Sequence, residues 1–373
     1  MKIGVEVQRL FRKKKHGMEV VALELLRQLQ VIDRYNQYKV FVKNDEDDAC
    51  ISNTENMDFI KVPGRTYFDW EQFSLPKAVK KHNIDFLHST CNTSALNCKV
   101  PLLLTLHDII YLEELNFKGS AYQNFGNIYR KFIVPRIVAK SKYIITVSNF
   151  EKETIKEKLH VPDEKIKVVY NAVSPKFKTG IIKSEIDNFR KHYQLPEKFI
   201  LFLGNTAPKK NTKNVISAYT LYCKNVTAPI PLVILDYDKS LVEATLKNTK
   251  QEEFLKNFVF PGFIPSDKMP LMYNAAYVFL YPSLRESFGL PILESMACGT
   301  PVITSSTSSM PEIGGNAAIY ANPYSVEDIL CKLIGILHDN ETHSQVTAKG
   351  IERAATFNWE NAAKELLAIY QSM

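Results

Sequence analysis

The chain lacks the usual marks of a secreted or membrane-spanning protein. Its six cysteines, Cys50, Cys91, Cys98, Cys223, Cys298 and Cys331, show no CxxC spacing. Neither a disulfide framework nor a zinc site is therefore indicated, and a reduced cytosolic compartment is the simplest setting. No apolar run approaches the ~20 residues that a membrane span needs. The N-terminal MKIGVEVQRLFRKKKHG runs from a short apolar stretch into a basic cluster, the reverse of a secretory signal. A soluble or peripheral protein is expected. No GxGxxG follows the first apolar run, which has only Gly4 within it and Gly17 beyond it, and this counts against a nicotinamide-dependent oxidoreductase. There is no repeat at a fixed offset, and the one biased tract, the acidic DEDD at positions 45–48, reads as a solvated turn.

Charge of one sign is also scarce. Lysine and arginine number 47 against 40 aspartates and glutamates, a balance of +7. So mild an excess fits an anionic ligand or an acidic membrane surface as well as nucleic acid. With 373 residues and 45% hydrophobic composition, the chain exceeds one ordinary core and suits two domains of about 150 to 200 residues.

Short β-rich runs alternate with helical patterns. KIGVEV, YKVFVKN, FIKVPG, IDFLHST, PLLLTLHD, YIITVS and IKVVYN are nearly continuous apolar strands, as expected where helices cover both faces of a parallel sheet. The stretch AVSPKFKTGIIKSEIDNFRKHYQLPEK, from Ala172 to Lys198, breaks this succession with two prolines, a glycine and many charges, and reads as an interdomain connection. A second succession follows: KFILFLGN, PLVILD, FVFPGF, YVFLYPS and PVITSS, with helices between. The predicted architecture is α/β: two facing Rossmann-like domains with parallel sheets and a cleft between them, residues 1–178 and 179–358. The closing amphipathic helix, 359–373, can pack on either lobe, and the first is the expected partner.

In open α/β sheets, ligands bind beyond the carboxyl ends of the strands. His107 and Asp108, Ser148, Gly204 and Asn205, Gly262, and the stretch RESFGLPILE (285–294) all occupy such positions. Two glutamates eight positions apart raise the question of an acid and base pair. Pro291 favours a helix beginning near Leu290, which places Glu294 in its first turn and leaves Glu286 in the loop. The amides of Phe288, Gly289 and Leu290 then form an anion site at a helix start. The bland reading is that Glu294 complements the helix dipole, worth ~0.3 to 1 kcal/mol, and that Glu286 is solvated. Lys209 and Lys210 in LFLGNTAPKKNTKN offer cations for the same anion.

The second half, with FLGN and KKN, FPGFIPSDKMPLMYNAA, YPSLRESFGLPILESMACGTPVI and SSMPEIGGNAAIY, resembles the family-4 retaining glycosyltransferases of the GT-B fold. So do LHD (106–108), ITVSNFEKETI (145–155), VVYNAV (168–173) and the final FNWENAA, so the resemblance covers nearly the whole chain. It implies that a nucleotide sugar, GDP- or UDP-linked, binds the C-terminal lobe. The acceptor, a glycan or lipid-linked glycan, is implied to bind mainly the N-terminal lobe. Glu294 would hydrogen-bond the ribose, and Glu286 would face the donor sugar. Lys210, Lys209, Asn205 and the amides of Phe288, Gly289 and Leu290 would hold the diphosphate. His107 would reach the donor sugar near the reacting carbon, and Phe263 and Ile264 would meet the base. His16 and Gly17 would stand for the glycine-rich donor and acceptor loop, which is reduced here to KHGMEV. Asn205 departs from the family, because an arginine often follows the strand-end glycine. The resemblance implies no metal, no cofactor and no nucleic-acid partner.

Asp236 and Asp238 in VILDYDKS form an Asp-x-Asp triplet, the metal-diphosphate signature of the other major glycosyltransferase fold, although such triplets are common by chance. A glycosidase would need two carboxyl groups ~5 to 9.5 Å apart across a sugar. A sugar-nucleotide epimerase and a non-catalytic sugar-nucleotide-binding protein are the alternatives. The basic helix AYQNFGNIYRKFIVPRIVAKSKY can lie on an anionic membrane or simply present a solvated basic face. Together with FRKKK it points to a cytoplasmic protein, peripheral on the inner face of the membrane, acting in surface polysaccharide or glycoconjugate synthesis.

Overall fold

Strands rich in Val, Ile, Leu and Phe are stable only when both faces are covered, and helices between them supply the cover. The computed structural model, which describes residues 1–113 and 121–373, shows that arrangement twice. The chain divides into two compact units, Met1–Ala172 with Asn358–Met373, and Val173–Phe357.

The first unit holds β1 (Lys2–Glu6), β2 (Gln37–Val42), β3 (Met57–Lys61), β4 (Phe86–Ser89), β5 (Leu102–Thr105), β6 (Tyr143–Thr146) and β7 (Ile166–Val168). Their order in the sheet is β3-β2-β1-β4-β5-β6-β7, and every pairing is parallel. The C-terminal helix Trp359–Gln371 belongs to this unit. Trp359, Ala362, Ala363, Leu366 and Tyr370 are buried in one cluster with Val21, Leu26 and Leu29 of the helix Gly17–Ile32 and with Ile3 and Val5 of β1.

The second unit holds β8 (Ile200–Leu203), β9 (Leu232–Leu235), β10 (Phe258–Val259), β11 (Val278–Tyr281), β12 (Val302–Ser305) and β13 (Ile319–Ala321). Their order is β10-β9-β8-β11-β12-β13, again all parallel. The change of unit comes at Val173 rather than at 179, and the return to the first unit at Asn358. The charged stretch read as a connection contains a helix, Lys183–His192, whose one buried side chain is Phe189. A single apolar anchor among charges explains why its composition imitates a linker.

Candidate functional site

In the second unit the chain passes from β8 through β9 to β10 on one side, then resumes with β11 on the other side of β8. The loops after β8 and β11 therefore diverge from adjacent strand ends, which is where open parallel sheets hold ligands. One loop carries Asn205, Lys209 and Lys210, and the other carries Glu286 and Gly289. Topology is thus what brings Lys210 to Glu286, with Nζ 2.7 Å from Oε1. Tyr281, the last residue of β11, donates its phenol to the same oxygen at 2.9 Å and accepts from the Lys210 ammonium at 2.8 Å. Lys209 adds a second cation 4.0 Å from Oε2.

Burial alone would push the Glu286 carboxyl up, but the charges of Lys210 and Lys209 and the hydrogen bonds from Lys210 and Tyr281 outweigh it. The group is held below the ordinary glutamate value and is ionised at neutral pH. Its backbone is clamped as well. The amide of Glu286 donates to Ser308 Oγ at 3.0 Å, and its carbonyl accepts from the hydroxyls of Ser308 at 2.6 Å and Ser309 at 2.9 Å.

Asn211 sits in the left-handed region at φ 60° and donates its side-chain amide to the carbonyls of Pro282 at 3.0 Å and Pro323 at 2.7 Å. It locks the turn Pro208–Lys210 against the β11 loop. Asn205 turns its Oδ1 inward to accept the Ala207 amide at 2.8 Å, so its side chain shapes the turn. Gly204 answers to packing, because a Cβ there would come within 2.6 Å of the Tyr237 side chain.

Gly289, at φ 96°, caps the helix Leu290–Ala297. Only glycine holds that conformation without strain. Pro291 has no N–H and the Ile292 amide donates to the Gly289 carbonyl at 3.0 Å, so the Leu290 amide, which has no carbonyl partner within the helix, is what the helix start offers an anion. The expectation for Glu294 is corrected here. With Leu290 as the first helical residue and Pro291 as the second, Glu294 lies beyond the first turn and does not complement the dipole of the N-terminus. Instead it accepts the Tyr273 phenol at 3.2 Å. Burial pushes its carboxyl up to about 7, against the pull of that hydrogen bond and of Lys176.

The rings of Tyr273, Phe279 and Tyr281 form a row, with centroids 5.4 Å and 5.3 Å apart. Glu294 and Glu286 each hold the phenol at one end of it and share no hydrogen-bond partner among the described residues. That geometry suits two separate binding roles better than an acid and base pair. Beyond β10, Gly262 takes φ 82°. Phe263 follows it with 71% of its surface exposed, while Ile264 is buried, so an aromatic face is offered beside an apolar anchor. Asp238 accepts the Ser240 amide at 2.8 Å and caps the helix Lys239–Asn248. A capping role accounts for that half of the Asp-x-Asp triplet.

In the first unit the switch lies between β1 and β4. His107, just past β5, is buried. Its Nε2–H donates to the Thr90 carbonyl at 2.9 Å, and its own amide donates to Asn92 Oδ1 at 2.7 Å. Burial lowers its pKa, with the Thr90 contact opposing, so the ring is neutral at pH 7 with Nδ1 left as the acceptor. Thr90 is in turn fixed to the Glu6 carbonyl through its hydroxyl at 2.9 Å. A cavity of about 20 Å³, room for about one water, adjoins His107 and is lined also by Val5, Val21, His88, Thr105 and Tyr370. His16 precedes the helix Gly17–Ile32 and donates its amide to Glu19 at 2.9 Å. Nothing would meet a Cβ at Gly17 within 4 Å, so open space surrounds the helix start.

Tyr281, Tyr273, Asn211, Ser308 and Ser309 are the site residues that sequence reasoning missed. A tyrosine at a strand end carries a faint signal, as does the hydroxyl-rich SSTSS that begins at Ser305. The contacts themselves are long-range.

The chain matches the family described as Glycosyltransferase Family 4 over residues 16–177 and that described as Glycosyl transferases group 1 over residues 184–353. It is 30% identical over 235 residues to O-antigen chain mannosyltransferase B of Escherichia coli, a match covering 62% of this chain and 61% of that protein. The chain spans 61% of the length of that protein and 58% of O-antigen chain mannosyltransferase RfbU of Salmonella typhimurium, to which it is 30% identical over 229 residues, 60% of this chain. Among solved structures, it is similar in fold to a sucrose-phosphate synthase from Thermosynechococcus elongatus (TM-score 0.74, 16% identity, covering 100% of this chain and 98% of the other). It is likewise similar to Anabaena HepE in complex with UDP and glucose (TM-score 0.73, 18% identity, covering 100% of both). With one family match on each unit and the same fold throughout, the chain belongs to the family-4, group-1 glycosyltransferases of the GT-B fold.

Proposed function

We propose that this protein is a retaining glycosyltransferase that moves a hexose from a GDP- or UDP-linked donor to a glycan or lipid-linked glycan in surface polysaccharide synthesis. The observation that carries the reading is the Lys210, Glu286 and Tyr281 cluster beside the helix start at Gly289, all at the switch point of one sheet. Departure of a nucleoside diphosphate builds negative charge on phosphate while the sugar becomes oxocarbenium-like. Fixed cations and the amide at the helix start act on the first of these, because preorganised donors lower the barrier where charge develops. The bond from the anomeric carbon to the diphosphate breaks, the acceptor hydroxyl oxygen bonds the same face, and the acceptor proton passes to the departing phosphate oxygen. No protein nucleophile is needed. His107, neutral and held by Thr90, is assigned to the donor sugar, Glu294 to the ribose, and Phe263 and Ile264 to the base. The relatives named as mannosyltransferases and the UDP complex of HepE support a nucleotide-linked hexose, with mannosyl donors the first to try.

A thermal-shift screen of GDP- and UDP-linked hexoses tests this. The true donor at 100 times its dissociation constant adds ~2.7 kcal/mol to stability, and transfer with that donor should persist in EDTA. Activity lost with chelator, restored by manganese and abolished by alanine at Asp236 and Asp238 would replace the lysine clamp with a metal site. Free epimerised nucleotide formed without acceptor would favour the epimerase.

Lys210→Ala is expected to weaken binding of the free nucleoside diphosphate by about ten to a hundredfold, the ~1.5 to 3 kcal/mol of one charged hydrogen bond. Calorimetry with the folded variant measures it. Unchanged affinity would remove Lys210 from the diphosphate site.

A further inference from the structure

The helix Ala121–Lys140 is apolar on two faces, where a sheet-covering helix needs one. Its inner face buries Tyr129, Ile133, Val134, Ile137 and Val138 in the core of the first unit. On the outside, Ile128 and Phe132 are 57% and 53% exposed. Pro135 and Ala139 continue the same exposed stripe at helical spacing. A second element extends the patch. Phe68 and Phe73, in the adjoining helical turns Tyr67–Asp69 and Trp70–Ser74, are 41% and 57% exposed. The Phe68 ring meets both Phe73, at 5.9 Å, and Tyr129, at 5.7 Å, edge-on. The two segments thus form one outward surface of aromatic and aliphatic groups.

The charge that the helix brings to this surface has one sign, while the adjoining turn adds the Asp69 carboxylate, which accepts the Arg65 amide at 2.9 Å. From Ala121 to Phe150 the sequence contains no aspartate or glutamate, while Arg130, Lys131, Arg136, Lys140 and Lys142 fall within it. Arg136 lies over the exposed Phe132 ring, 3.6 Å from its centroid, and no ion pair involves Lys131, Arg136 or Lys140 among the described residues. Apolar side chains that stand out between unneutralised cations fit a bilayer whose headgroups are anionic, because the rings enter the acyl boundary while the cations stay with phosphate. A second copy of this chain fits worse, since a two-fold contact would set Lys131 and Arg136 against their own kind.

We infer that Phe68, Phe73, Ile128 and Phe132, with Lys131 and Arg136, form a docking surface for an anionic lipid bilayer. The surface is joined to the candidate site of the same unit. Tyr129 donates to Glu71, which also accepts from Thr93. Thr93 belongs to the loop whose Thr90 and Asn92 fix His107. Docking would bring that loop close to a lipid-linked acceptor. The inference rests on the reading proposed above for its purpose only, because lipid binding is measured without any donor.

The test is co-sedimentation of the full chain with vesicles of phosphatidylcholine alone and with phosphatidylglycerol added. Binding is expected only in the second case, falling as salt rises. Lys131→Glu with Arg136→Glu should lower it by at least about tenfold, and Phe73→Ser with Phe132→Ser should lower it at unchanged charge. All four side chains are at least partly exposed, so both double variants should keep the wild-type melting temperature and nucleotide affinity. Equal binding to both vesicles, or wild-type binding by both double variants, would overturn the inference. A concentration-dependent dimer without vesicle binding would assign the face to a second copy and overturn it too. Nucleotide affinity, measured on the same samples, reports separately on the transferase reading.

Discussion

Glu286→Gln is expected to lower turnover by about a hundred- to a thousandfold while leaving nucleotide-sugar affinity unchanged or slightly higher. In the free protein Glu286 competes for Lys210 at 2.7 Å. Glutamine removes the charge of that competitor, so the diphosphate finds the ammonium less engaged, yet the anion that orients the sugar as positive charge develops is gone. Ground-state binding and transition-state stabilisation therefore separate. Glu294→Gln should do the reverse, weakening the nucleotide sugar with a smaller loss of turnover. Because the Glu294 carboxyl sits at about 7, wild-type affinity should fall as pH drops through 7 and the better acceptor is lost, whereas the glutamine variant should be flat. A nucleotide sugar suits this measurement, since its diphosphate does not titrate in that range. Equal losses of turnover at unchanged affinity, with a covalent glycosyl-enzyme on either glutamate, would restore the paired-carboxylate reading.

Glu6→Gln is expected to stabilise the protein by roughly 3 to 5 kcal/mol at pH 8.5 or so and to change little near pH 4. Glu6 ends β1 at the switch point of the first unit and is buried, with Oε1 accepting the Gln8 amide at 2.9 Å. Burial first, then the charge of Glu71, pushes its carboxyl up to about 8. The sign follows from comparing the two states. The unfolded group ionises near 4.3 and the folded group near 8, so between those values unfolding releases a proton and stability declines as pH rises. Below both values the group is neutral in either state and costs nothing. Glutamine can still accept the Gln8 amide but does not titrate, which removes the decline. Urea denaturation of both proteins at the two ends of this range decides the matter, and a constant offset at all pH values would reject the buried neutral acid.

Much of the second unit's site was legible because its signals are local. Gly289 followed by Leu290 and Pro291 is a cap and helix start that any context would preserve, since φ 96° excludes other residues and Pro needs no amide partner. Lys209 and Lys210 before a helix could be read as cations, but not as partners of Glu286, because the pairing spans 76 residues and depends on β11 returning beside β8. The helix start at Leu290 was read correctly, but Glu294 is the fifth residue from it and so stands beyond the first turn, where packing brings its carboxylate to the hydroxyl of Tyr273. The stretch from Ala172 does hold the change of unit, at Val173, but the helix within it was not legible because Lys183–His192 buries only Phe189, too little to mark a helical face.

By itself the sequence determined the class of the fold, because continuous apolar strands alternating with helices have few stable arrangements besides covered parallel sheets. It determined where ligands could be sought, since strand ends are visible in the chain. Only the tertiary structure decided the charge states. Glu286 stays ionised against its burial because two lysines converge on it, and Glu294 and Glu6 rise because burial outweighs the single cation that acts on each, Lys176 and Arg9. Which face of the basic helix remains outside was decided there too: its pattern is apolar on two faces, and only the packing of Tyr129, Ile133 and Ile137 in the core chose the side on which Ile128 and Phe132 stay exposed. Desolvation and packing depend on neighbours distant in sequence, and local pattern does not encode those.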